Sequence, residues 1–141
     1  MKALFLTCVG AACLFITVPV AAHHAFSSEF DVNKPVSLTG SVTKMEWTNP
    51  HAWLFMEVKD DDGNIQTWAV ELVGINDLLR LGWGRSTVKA GDVLSVEGFG
   101  ARNGTNTANA ASVTVTKTGE LLWESVSRAG RQGRERNRSQ Q

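Results

Sequence analysis

A mainly β fold, a small five-stranded Greek-key barrel with one short helix between its third and fourth strands, follows from three observations. Val36, Leu38 and Val42 alternate with Ser37, Thr39, Ser41 and Thr43, and Leu54, Met56 and Val58 alternate with Trp53, Phe55 and Glu57. A period of two marks a strand with one face buried. The alternation breaks between Gly74 and Gly82, where Ile75, Leu78 and Leu79 fall on one helical face. Clusters of Gly, Asn and Asp punctuate the runs as turns do.

In chain order, residues 1–22 hold one Lys, a long apolar run and the small-residue exit Val20-Ala21-Ala22. That is the pattern of a removable secretory signal peptide, so the product is expected in the periplasm with no transmembrane anchor after processing. Both cysteines, Cys8 and Cys13, lie within it. The processed chain then has no thiol, disulfide or thiolate metal site. Residues 23–35 form an approach segment. Phe26 and Phe30 stand four apart and can pack one face of a helical turn. Pro35 then resets the backbone to extended.

The barrel domain is expected over residues 36–125. Its first strand covers 36–47, with Gly40 marking a bend, and Asn49-Pro50 ends it. A second strand covers 52–59, a hairpin turn 60–64, and a third strand 65–71. A helix of about two turns closes at Gly82. The fourth strand covers 93–101 and the fifth 111–116, followed by a short Leu121-Leu122-Trp123 run. Three strands, a helix and two strands is the chain order of an OB-like barrel. Residues 126–141 carry five Arg against one Glu and no apolar residue beyond Ala129, so they form an expected disordered basic tail. Residues 23–125 carry 13 Asp/Glu against 8 Lys/Arg. An acidic body argues against nucleic acid as the partner.

Four phrases carry a resemblance: Ala22-His23-His24-Ala25-Phe26, the run from Lys34-Pro35 to Gly40, Glu46-Trp47-Thr48-Asn49-Pro50-His51, and Gly91-Asp92 through Glu97-Gly98-Phe99. In these the chain resembles a bacterial exported family known as a domain of unknown function. The likeness covers nearly all of residues 23–125, and it implies an exported OB-like domain and no particular activity. More distantly the chain is similar to periplasmic OB-fold proteins, a class of small-ligand and ion binders.

The chemistry-bearing residues are few. His23, His24 and His51 are the three histidines, and imidazole is the commonest metal ligand. Cleavage after Ala22 makes His23 the first residue, so its amine and ring chelate one ion, and His51 completes a three-nitrogen set resembling a histidine brace. Cleavage one residue earlier puts His24 third, a copper and nickel motif. Both favour Cu(II). The plain alternative is a solvated start with His51 as a turn residue. Convergence is demanding: residues 23–34 extend about 40 Å at most, nearly the span of the first strand. The segment must therefore run back along that strand, and a helical turn within it shortens the reach.

Trp47, Trp53 and Trp68, with Asn49, mark a second candidate, a barrel face for a small ligand, sugar or peptide, against core packing as the alternative. Glu46, Glu57 and Glu71 read as surface carboxylates of a half-exposed sheet. No catalytic residue is expected, since there is no cysteine nucleophile, no Gly-x-Ser-x-Gly elbow and no phosphate-binding loop. The sequence reads as a binding or accessory module rather than an enzyme, its partner a small ligand, a metal ion or a periplasmic protein. A structural module without a ligand is the remaining reading.

Overall fold

The computed structural model describes residues 26–125. The expected signal peptide, His23, His24 and the basic tail lie outside them. A helical turn at 26–29 leads into strand β1 (Phe30–Glu46). Then follow β2 (Trp53–Lys59), β3 (Ile65–Glu71), helix α1 (Ile75–Arg80), β4 (Val93–Ala101), β5 (Thr107–Val115) and β6 (Glu120–Glu124). The sheet order is β3-β2-β1-β4-β5-β6, and a further pairing of β3 with β5 joins five strands into a ring. The expected OB-like barrel is present, with a sixth strand added along β5.

Strand β1 is 17 residues long because it serves both halves of the barrel. Its first part, from Phe30 to Ser41, pairs with β4, and its last part, from Gly40 to Glu46, pairs with β2. Gly40 is the corner. A Cβ there would lie 2.1 Å from the Glu57 carbonyl oxygen, so only glycine lets the two strands approach. Gly98 plays the same part between β4 and β5, beside a register shift and with a virtual Cβ 2.3 Å from the Asn109 carbonyl oxygen. Closure comes from a parallel seam of three residue pairs: Ala69 with Thr107, Val70 with Ala108 and Glu71 with Asn109.

The interior is filled by the residues that alternate inward. Leu38, Val42, Leu54, Met56, Val58, Val70, Leu94, Val96 and Val113 are all buried. Leu78 of α1 plugs one end together with Trp83 and Val88, and the Trp83 indole Nε1 donates to the Leu122 carbonyl at 3.0 Å.

Four expectations need correction. Strand β1 begins at Phe30 rather than residue 36, because the backbone N–H of Arg102 donates to the Glu29 carbonyl and extends the ladder. Strand β5 begins at Thr107 rather than residue 111; Ala108 and Ala110, poor strand formers, are the small side chains that fit inside where strands converge. Leu79 does not share the face of Leu78 and is 56% exposed, since α1 is only six residues long and buries a single side chain. Glu71 is not a surface carboxylate at all: it is 5% exposed.

Candidate functional site

Paired residues on neighbouring strands share a face. The register therefore lays one row across the outside of the barrel: Trp53 opposite Glu71, Glu71 opposite Asn109, and Asn109 opposite Phe99. An outward carboxylate would ordinarily be solvated. Here two segments cover it. One is the loop from Thr48 to His51, the other the N-terminal turn.

The loop is fixed from several sides. Its Asn49-Pro50 bond is cis. Thr48 Oγ1 donates to the His51 carbonyl at 2.7 Å, and Asn49 Oδ1 accepts the Ile75 N–H at 3.2 Å. The Pro50 carbonyl passes so close to Gly74 that a Cβ there would lie 2.6 Å from it. Ala52 continues the ladder with Leu72 and Val73. These contacts set His51 above Glu71, where Nδ1 pairs with Glu71 Oε1. Glu71 Oε2 accepts Asn109 Nδ2 at 3.0 Å. The carboxylate thus has a donor on each oxygen, as a buried charge requires. The ring of His51 remains 46% exposed.

The N-terminal turn lies across the same place. Phe26 meets the Phe30 ring at 5.7 Å and the Phe99 ring edge-on at 6.1 Å. Arg102 ties the turn down: its Nε donates to the Ser27 carbonyl at 2.7 Å, its backbone N–H to the Glu29 carbonyl at 2.9 Å, and its guanidinium lies 3.8 Å from Asp31. The backbone N–H of Asn33, with help from Arg102, holds the Asp31 carboxyl below its ordinary value. Phe26, Glu29, Phe30, Pro50, His51, Glu71 and Asn109 enclose a hollow of about 280 Å³.

Part of the reach that looked demanding from sequence, that within the described residues from Phe30 to His51, is shortened by curvature; His23 and His24 lie outside them. Strand β1 wraps round the barrel, so Phe30 at its start and His51 just beyond its end border the same hollow. The helical turn forms and still lies there. Among the described residues, no three His, Cys, Asp or Glu side chains group closely enough to hold a metal.

The tryptophan candidates separate. Trp47 and Trp68 pack against the core cluster, and the Arg85 guanidinium stands 6.0 Å from the Trp47 ring centre. Trp53 is on the outer face and borders a second hollow of about 280 Å³ with Arg102, Thr105 and Thr107. The three therefore form no common platform, and Asn49 spends its side-chain oxygen on Ile75. Sequence reasoning missed Glu71, Asn109 and Arg102 as parts of the site. The strand alternation did carry a signal for Glu71, placing it on the face of Trp53, but nothing local said that this face is covered.

The model of the Family of unknown function (DUF6152) matches residues 12–110, well over half of the 141 residues. The chain belongs to that family. Two crystal structures of the mitochondrial single-stranded DNA binding protein Rim1 from S. cerevisiae are similar in fold. One has 13% identity, covers 65% of this chain and 96% of its own, and has a TM-score of 0.45. The other, selenomethionine-labelled, has 14% identity, 65% and 97% coverage and a TM-score of 0.40. At that similarity neither brings a ligand to this family member. No curated protein matches the chain. Among the described residues no helix is long and apolar enough to cross a membrane.

Proposed function

We propose that this member of the family is an exported periplasmic binding module that holds Cu(II) between His51 and its processed amino terminus. The pairing of His51 Nδ1 with the buried Glu71 carboxylate carries the reading. A ring that donates its Nδ1–H to a carboxylate keeps the Nε2 lone pair for an ion, and the carboxylate both orients the ring and strengthens it as a ligand. Asn109 in turn fixes the carboxylate. The other nitrogens come from His23 or His24 and the terminal amine. Phe26, which borders the His51 hollow, is three residues from His23, a reach of about 10 Å. Such an all-nitrogen set favours Cu(II) among divalent ions.

A second reading draws on Trp53. An aromatic wall with Thr105 and Thr107 on the rim suits a sugar-sized or small peptide ligand.

The test uses protein processed by a secreting bacterial host. Intact mass fixes the first residue, and Cu(II) titration is followed by electron paramagnetic resonance in wild type, His51→Ala and Trp53→Ala. The metal reading expects one tight type-2 copper whose spectrum changes in His51→Ala and not in Trp53→Ala. A copper signal indifferent to His51, or no tight copper, sinks it.

A further inference from the structure

The inward row of β3 changes character along its length. Val70 is buried, but Trp68 and Gln66 are only half-buried, opposite Met56 and Val58 of β2. At the 60–64 hairpin this row opens on a hollow of about 470 Å³. It is larger than those beside His51 and Trp53 and falls within the range of small-molecule sites. Leu38 and Val58 supply its apolar lining, and Trp68, packed on the core, lines it too. A glutamine at an inward position breaks the strand pattern. Gln66 is held there from both sides: its Nε2 donates to Asp60 Oδ2 at 3.2 Å, and its Oε1 accepts Asn106 Nδ2 at 3.3 Å. The Asn64 backbone N–H donates to the other Asp60 oxygen at 2.8 Å. This chain of hydrogen bonds ties the hairpin to the loop before β5 and holds the polar rim in one arrangement.

We infer that this barrel mouth binds a neutral sugar unit, with Trp68 as its stacking surface and Asp60, Gln66 and Asn106 as partners of its hydroxyls. Charge selects the class. Asp60 and Asp61 on the lining disfavour an anion, and Lys59 beside them disfavours a cation. A hydroxyl both donates and accepts. It therefore suits carboxylates that only accept, an ammonium that only donates and amides that do both. The C–H face of a sugar ring is apolar, and an indole offers it a flat apolar surface. Because the polar groups already hold one another, little side-chain freedom is lost on binding. The site is independent of the metal reading, since it lies at the opposite end of β2 and β3 from His51. It also shares no lining residue with the Trp53 hollow.

The test titrates the processed chain with maltose, cellobiose and methyl β-glucoside, and with glucosamine and glucuronate as cationic and anionic counterparts. Calorimetry reads affinity, and amide NMR shifts read the place of binding. The expected result is binding of at least one neutral probe, with shifts at Asp61, Gln66 and Trp68, and weaker binding of both charged ones. Trp68→Ala should weaken it about tenfold or more, as loss of an aromatic anchor does. Asn106→Ala trims an exposed side chain and should weaken it about 2–10-fold, and it carries the test if Trp68→Ala does not fold. Arg80→Ala, on α1, should match wild type. No binding of any neutral probe overturns the inference, as does wild-type affinity in both Trp68→Ala and Asn106→Ala. A charged probe bound more tightly than every neutral one overturns the class of ligand. Shifts at Arg102 and Thr107, with the loss falling on Trp53→Ala, put the sugar in the other hollow and overturn the inference equally.

Discussion

The two faces of the β2–β3 pair follow opposite rules. Inward, Leu54, Met56 and Val70 are fully buried by the barrel that their own strands build. Outward, Trp53 and Glu71 sit where a sheet normally meets water, yet Glu71 is nearly as inaccessible as the core. The inward burial is apolar and comes from neighbours in the ring. The outward burial is polar and comes from two further segments, the turn at 26–29 and the loop at 48–51 that abuts β2. Core burial stabilises by removing apolar surface from water. The outer patch spends part of that gain on holding a carboxylate, which is a reason to look there for function.

The contrast can be broken first from inside. Leu54→Ala should cost about 2–5 kcal/mol, because a fully buried leucine leaves a cavity that the closed ring cannot collapse. Urea unfolding measures it, and a loss under 1 kcal/mol would mean that the interior is looser than its burial says. Glu71→Ala should cost less, about 1–3 kcal/mol, from leaving Asn109 and His51 without their acceptor. Its clearer mark is a change in the His51 ring resonances by NMR. Unchanged resonances would show that the carboxylate does not hold the ring in solution.

The smallest effect lies at the open hairpin, far from both faces. The Gln66 side chain and the Asn64 backbone N–H donate to Asp60 and hold its carboxyl below the ordinary 3.8. A depressed carboxyl stabilises the fold above its unfolded value and loses that contribution as pH falls through its folded value. The stability gap between wild type and Asp60→Asn should therefore be present at neutral pH and close in strong acid. A gap that grows in acid would reverse the sign.

The inward face was legible because alternation is a local signal. Leu54, Met56 and Val58 announce their burial within seven residues, and the failure of that pattern after Gly74 announces the helix. Ala108 and Ala110 were not legible as strand, since alanine reports neither period nor β preference; only the narrow barrel interior makes them suitable. His51 stood out by rarity. Glu71 did not, because its burial depends on where Phe26 and His51 come to rest, and Arg102 did not, because its hydrogen bonds to the turn at 26–29 go to carbonyl groups that leave no trace in side-chain pattern.

The closing seam between β3 and β5 is three pairs long, and its last pair, Glu71 with Asn109, is also the floor beneath His51. The residues that zip the cylinder shut thus also hold the ring of His51, which we propose as an ion ligand. Whatever tightens around His51 also fastens the zip. With the proposed ion bound, mass action raises the cost of opening the barrel at that seam.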